Sequence, residues 1–242
     1  MRKISVKVLS FDIWNTILST RVFYWKFSTS LAKLADLDPE KVFNKILTTY
    51  ARIKSMRVKE LIDENRIVEQ SMEILLEEFE NLTQEHIKKA LASVIARENL
   101  EDLILDDSKR IVAELKKRGY TLITIGNVVF WPGAYTRIML ERLGYSEYFI
   151  VQIYADEVKC SKPRPCIFHK ALNTLREFGI EPSEITHIGD NFREDFLGAL
   201  GVGFKAVLVD RDKLYSSKGF LTVLKDRAYM IDSLEKLLMI FK

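Results

Sequence analysis

The first 118 residues of this 242-residue chain contain no glycine and a single proline, Pro39. Glycine in a helix interior costs about 1 kcal/mol relative to alanine, so a long stretch without it permits helices. Cysteine is scarce as well. Cys160 and Cys166 are the only two, and their spacing matches no zinc or redox motif, so they read as reduced packing residues of an intracellular protein. The three histidines, His86, His169 and His187, show no ligand spacing, and His187 is expected to be packed or at the surface. No apolar run approaches the length of a membrane span, which argues against a membrane partner. Charge of one sign is also lacking: 37 basic residues against 34 acidic ones leave a formal charge of +3, too little to argue for a nucleic-acid partner. The opening Met1-Arg2-Lys3-Ile4-Ser5 has no apolar segment of the signal-peptide kind, so the expected location is cytoplasmic.

What the glycine-free part does contain is helical periodicity. Val42, Phe43, Ile46, Leu47, Tyr50 and Ile53 fall on one helical face, and Ile67, Val68, Ser71, Met72, Leu75, Leu76 and Phe79 on another. A third face runs through Ile87, Leu91, Val94 and Ile95 behind Thr83, a predicted N-cap. Residues 18–103 therefore read as a four-helix insert. After it the texture changes to strands alternating with helices. The spacing predicts a helix from Asp107 to Lys117, strands at 120–125, 148–154, 185–188 and 204–209, and a closing helix from Ser233 to Phe241. Such alternation argues for an α/β fold with a parallel sheet covered on both faces.

The insert falls directly behind a short apolar run, Val6 to Phe11, that reads as a buried strand ending in Asp12. A carboxylate there is costly unless it is solvated, paired or used on a ligand. Ligands of open α/β sheets bind outside the carboxyl ends of the strands, which places Asp12 where chemistry would occur. An Asp that merely caps a turn explains this stretch as well. Farther on, Asp190 and Asp195 stand behind another short strand. If the strand ends converge, Asp12, Asp190 and Asp195 make a set of hard oxygen ligands suited to Mg²⁺. Without a cation they would repel one another.

Four motifs occur in order: Phe11-Asp12-x-x-x-Thr16, Ile125-Gly126-Asn127, Ser161-Lys162-Pro163-x-Pro165-x-x-Phe168 and Gly189-Asp190-x-x-x-x-Asp195. Together they resemble the motifs of the haloacid dehalogenase-like hydrolases, from about Ser5 to Arg211. The resemblance implies a Rossmann-like three-layer core (1–17 and 104–242) with an inserted all-helical cap domain (18–103). It implies Asp12 as nucleophile and Lys162 as a catalytic cation. Thr16, Gly126 and Asn127 would hold the substrate anion. Mg²⁺ would be held by Asp12, the backbone carbonyl of Trp14 and Asp190, with Asp195 in support.

Three positions depart from that pattern. Asn15 stands where glycine is common, and Asn tolerates positive φ. Trp14 replaces the Asp that protonates the leaving group in the family's phosphatases, and an indole N–H cannot shuttle protons. Gly126 replaces a Ser or Thr. The expected activity is therefore slow Mg²⁺-dependent hydrolysis of a small phosphorylated, anionic metabolite. One rival is 2-haloacid dehalogenation, because that branch of the family has an aromatic residue at the position of Trp14. Another is a catalytically weak protein that only binds a phosphate ligand. Of the basic residues in the insert, Arg21, Arg52, Lys54, Arg57 and Lys59 are candidates to reach an anion, although Arg52 to Lys59 reads first as a solvated helix end.

Overall fold

The computed structural model describes residues 8–105 and 108–242. Val6, Lys7 and Asp107, which the sequence assigns to the first strand and to a helix start, lie outside these residues. Strand β1 (Val8–Phe11) is buried along its whole length and pairs in parallel with β2 (Thr121–Gly126) on one side and β4 (Ile185–Gly189) on the other. The full order is β3-β2-β1-β4-β5-β7-β6, with β3 at Phe149–Tyr154, β5 at Lys205–Val209, β6 at Phe220–Leu224 and β7 at Ala228–Ile231. Among the strand pairs of the described residues, only β6–β7 is antiparallel. The central strands are buried almost without alternation, as expected of a parallel sheet covered on both faces. The fold is the expected Rossmann-like three-layer core.

Four helices occupy the chain between β1 and β2 before α5 (Ser108–Lys117): α1 (Thr20–Ala35), α2 (Pro39–Val58), α3 (Ile67–Leu76) and α4 (Gln84–Arg97). Their starts are capped by side chains where the sequence offers them. Ser19 accepts from Val22 N, Asp38 from Lys41 N, and Thr83 from His86 N. Helix α1 packs on both α2 and α4, and its Phe23, Phe27 and Leu31 are fully buried. The remaining helices lie among the strands: α6 (Gly133–Arg142), α7 (Ala155–Val158), α8 (Pro165–Leu175), α9 (Gly198–Gly201) and α10 (Leu237–Ile240).

The chain leaves β1 toward β2 and β3, then returns to the other side of β1 as β4 and β5. This reversal opens a crevice at the carboxyl ends of β1 and β4, the usual ligand position in such sheets. Asp12 directly follows β1 and Asp190 directly follows β4.

Three expectations need correction. Cys160 and Cys166 are joined in a disulfide rather than reduced. The turn closed by Arg164 N donating to Ser161 O brings their Cα atoms to 6.1 Å, a distance that a disulfide spans. The hairpin β6–β7 has no counterpart in the sequence reading. Finally, the closing helix is a 3₁₀ turn at Leu234–Lys236 followed by the single turn of α10.

Candidate active site

The loop after β1 turns sharply at Asn15, whose φ is 58°, the left-handed conformation that the sequence anticipates there. Arg211, from beyond β5, clamps the turn by donating to the carbonyls of Asn15 at 2.7 Å and Thr16 at 2.8 Å. Thr16 Oγ1 in turn donates to Asp12 Oδ2 at 3.3 Å. Lys162 reaches the same carboxylate from the segment between α7 and α8. It is 1% exposed, and its Nζ donates to Asp12 Oδ1 at 2.7 Å and to the Ile125 carbonyl at 2.6 Å. Its backbone is held by Asn127, which accepts from Lys162 N at 2.8 Å and donates to Lys162 O at 3.1 Å.

Asp195 folds back against β4 because Gly189 leaves space for it. A Cβ on Gly189 would collide with the Asp195 carboxylate. Its Oδ1 lies 2.7 Å from Lys162 Nζ and 3.1 Å from His187 Nε2, while its Oδ2 accepts from Asn191 N at 2.9 Å. His187 is packed rather than exposed, with Nδ1 2.9 Å from Ser10 Oγ. Asp12, Asp190 and Asp195 each bring one carboxylate oxygen within 4.8 Å of the others.

Burial dominates the electrostatics. It pushes the Asp12 carboxyl up to about 6 against the pull of Lys162, and Asp195 adds to the rise. It also drives Asp190 well above the ordinary carboxylate range, with Asp12 and Asp195 reinforcing the effect. Burial would raise Asp195 too, but Lys162 and His187 together hold it well below its ordinary value. For Lys162 burial opposes the charge, and Asp12 and Asp195 overcome it, so the ammonium is held above its usual range. Burial lowers His187 and keeps it neutral near pH 7. A neutral ring donates from Nε2 to Asp195 and accepts at Nδ1 from Ser10.

A family model described as haloacid dehalogenase-like hydrolase matches residues 6–203. The chain belongs to this family. Among relatives of this hydrolase, glyceraldehyde 3-phosphate phosphatase of Methanothermobacter thermautotrophicus is 35% identical over 102 residues, 41% of each chain. Phosphoserine phosphatase of Thermus thermophilus is 32% identical over 123 residues, 51% of this chain and 47% of that one. Each match thus spans less than half of the relative's length. N-acetylmuramic acid 6-phosphate phosphatase of Pseudomonas aeruginosa is 26% identical over 196 residues, 80% of this chain and 77% of that one. Of solved structures, the magnesium-bound putative hydrolase YfnB from Bacillus subtilis superposes with a TM-score of 0.76 at 15% identity, covering 98% of this chain and 99% of that one. L-2-haloacid dehalogenase from Xanthobacter autotrophicus gives 0.66 at 14% identity, covering 97% and 98%. These two likenesses are of fold.

The hydrolase's cavity, about 40 Å³, is lined on the core side by Asp12, Asn127, Asp190 and Glu194, and on the helical side by Thr20, Tyr24, Tyr50, Lys54 and Arg57. Trp14 lies at its edge against Phe23 and Trp131, with ring centroids 5.3 Å and 5.1 Å away. The solvated-helix-end reading is therefore corrected for Lys54 and Arg57. Arg57 is 6% exposed and donates to Val128 O at 2.8 Å and to Glu194 Oε1 at 3.3 Å. Glu194 Oε2 also accepts from Asn127 Nδ2 at 3.1 Å. Arg52 instead pairs with Glu77 at the surface, and Arg21 lies over the Phe43 ring outside this cavity. Glu194 escaped the sequence reading, although its position between Asp190 and Asp195 was a signal. Gly126 has a spatial explanation: a Cβ there would press on the Tyr154 ring at 3.2 Å.

Proposed function

We propose that this chain is a metal-dependent phosphohydrolase with Asp12 as nucleophile, acting on a small phosphorylated metabolite. One observation carries the reading: three carboxylates gather at the mouth of the sheet beside a buried ammonium. Burial resists full ionisation of Asp12 and Asp190, so a hard cation with oxygen ligands fits the donor set. Mg²⁺ would be held by Asp12, the backbone carbonyl of Trp14 and Asp190, with Asp195 in support. When bound, the cation neutralises phosphoryl oxygens and favours in-line attack.

The chain's own groups do the rest. Asp12 attacks phosphorus, a P–O bond to the leaving group breaks, and an acyl phosphate forms on Asp12. Water then opens that intermediate and restores the carboxylate. Lys162 balances the charge on Asp12 and on the phosphoryl oxygens. Thr16 donates to Asp12 itself, and both side-chain N–H groups of Asn127 are committed to Lys162 O and Glu194, so these residues position the nucleophile and its cationic neighbour. Asp195 and His187 hold Lys162 in place. The helices of residues 18–103 serve as the cap that closes over the site. The phosphatases among the relatives support the same chemistry.

Trp14 shapes the substrate range. It supplies no proton to a leaving group, and absence of a general acid typically costs roughly 10²–10⁴ in rate. Acyl phosphates, whose leaving groups need little proton help, are therefore the preferred class. Trp14 also favours a second reading, metal-independent hydrolysis of a 2-haloacid, since halide departs without a proton.

The test is hydrolysis of acetyl phosphate with Mg²⁺ and with EDTA, for the wild type and for Asp12→Asn. The phosphohydrolase reading predicts turnover that EDTA and Asp12→Asn both abolish. Halide release from 2-chloropropionate in EDTA, without phosphate release, would establish the second reading instead. Tight binding of Mg²⁺ and phosphate without turnover on any substrate would leave a ligand-binding protein.

A further inference from the structure

The helical wall of the cavity carries polar groups that the fold itself leaves unsatisfied. Thr20 is 5% exposed and Arg57 6%, yet Thr20 Oγ1 and Arg57 Nε have no hydrogen-bond partner. Buried polar atoms are paired as a rule, so two exceptions on one cavity wall point to a ligand that completes them. The other unpartnered buried atoms among the described residues belong to Thr49, Thr124 and Thr186, none of which lines the cavity.

The chemistry of the ligand follows from the donors. Arg57 gives one N–H of each terminal nitrogen to Glu194 and to Val128 O, and its Nε is the nitrogen left without any partner. Lys54, one helical turn earlier on α2, lines the same cavity and carries three donors and no acceptor. The Thr20 hydroxyl donates or accepts. Glu194 already matches the charge of Arg57, and Lys54 faces the Asp190 carboxylate. With Asp190 given over to a cation, Lys54, the Arg57 Nε–H and the Thr20 hydroxyl are the donors left on the helical wall for an anionic acceptor. A volume of about 40 Å³ leaves room for only a few water-sized groups, so the anion is compact and close to the reacting end.

We propose that Thr20, Lys54 and Arg57 form a carboxylate subsite, and that the substrate carries a carboxylate a few bonds from the group placed at Asp12. The assignment of a phosphoryl group to the Asp12 end rests on the phosphohydrolase reading. The carboxylate is the part that the helical wall selects.

Phosphonoacetate and ethylphosphonate form a matched pair of inert probes that differ in a carboxylate against a methyl group. Calorimetric titration of the intact protein in Mg²⁺ is expected to give about 10- to 100-fold tighter binding of phosphonoacetate, the range for hydrogen bonds to a charged group. Lys54→Met and Thr20→Val are each expected to narrow that ratio at least about threefold, and Lys54→Arg to retain it. Because phosphonoacetate chelates Mg²⁺ equally in every sample, the change of ratio between variants reports the wall itself. Equal affinity for the two probes, binding of neither, or a ratio untouched by both Lys54→Met and Thr20→Val would overturn the subsite. The outcomes separate from the hydrolysis test. A retained preference for phosphonoacetate with no phosphate released from any ester would remove the phosphohydrolase reading and keep the subsite. Turnover without the preference would do the reverse.

Discussion

Arg57 Nη1 lies 3.3 Å from Glu194 Oε1, joining helix α2 to the turn that follows Asp190. Both side chains are almost wholly buried, and the same Glu194 accepts from Asn127, which holds the Lys162 backbone. One charge pair thus connects the helical layer to Lys162, the cationic neighbour of Asp12. Breaking a buried pair from one side leaves an uncompensated charge and costs about 3–5 kcal/mol. Arg57→Met should therefore destabilise the protein by about that amount in urea unfolding, and Arg57→Met with Glu194→Leu should recover most of it. A loss below about 1 kcal/mol for the single variant would mean that the pair is solvated.

The raised carboxyl of Asp12 has a consequence for stability. Its ordinary value is 3.8 and burial lifts it to about 6. Between those values the unfolded chain has released the proton while the folded chain still holds it. Stability of the metal-free protein therefore falls as pH rises through this window, by about 3 kcal/mol for this group, and levels off above it. Asp190 is shifted the same way and adds to the fall. Asp195 is shifted down, so its contribution is present above its ordinary value and disappears only in more acidic solution. Unfolding midpoints in EDTA, compared between wild type and Asp12→Asn from about pH 4 to 7, should show the wild type losing its advantage as pH rises. A wild-type advantage that grows across the window would contradict the burial of Asp12.

Much of this arrangement is legible in the sequence because single positions carry strong local signals. A glycine-free segment permits helices, Asn15 tolerates a left-handed turn, and Asp12 and Asp190 each end a run of strand residues. Arg57 was not legible, since a basic residue near a helix end is normally solvated, and only tertiary packing against Val128 and Glu194 buries it. The β6–β7 hairpin was hidden for a different reason. Its turn places Asp226, at φ 59°, between Lys225 and Arg227, without the glycine that marks most tight hairpins, and β6 is a half-exposed edge. The cysteines escaped because six residues of spacing give no clue to the reversal that brings them together.

The Tyr154 ring explains why Gly126 carries no hydroxyl, and the explanation is testable. A Cβ at Gly126 would sit 3.2 Å from Tyr154 Cδ1 and Cε1, and on the opposite side a Cβ at Gly133 would collide with the same residue. With Gly133 closing in behind it, the ring has little freedom to move away. Gly126→Ser should cost about 1–3 kcal/mol, the usual range for overpacking. Adding Tyr154→Val should relieve the clash. Thermal denaturation of the three proteins tests this, and a Gly126→Ser variant as stable as wild type would show that the ring yields.

The Cys160–Cys166 bond closes a short ring around Ser161, Lys162 and Pro163. Chain-entropy reasoning for so small a loop gives about 2 kcal/mol of stabilisation. Cys166→Ser, or reduction of the wild type, should lower stability by about that amount, with no further loss when a reductant is added to the variant. Mass spectrometry of alkylated protein reports the bond directly. Two freely alkylated thiols in the native oxidised protein would remove it.

Trp14 offers the sharpest test of the proposed slow turnover of ordinary phosphate esters. Its indole packs between Phe23 and Trp131 rather than presenting a titratable group to the cavity. Replacing it with Asp supplies the missing acid and base but deletes an aromatic contact, so two effects should appear together. Stability should fall by about 3 kcal/mol, as for the loss of a large packed ring. The rate on an alkyl phosphate, whose leaving group needs a proton, should rise by roughly 10²-fold or more, toward the general-acid contribution. The rate on acetyl phosphate should change far less, because its leaving group needs little proton help. Parallel assays of both substrates with Trp14→Asp and Trp14→Asn separate the two effects, since Asn removes the ring without providing a proton. If Asp and Asn variants hydrolyse the alkyl phosphate equally, the proton shuttle is not what the wild type lacks.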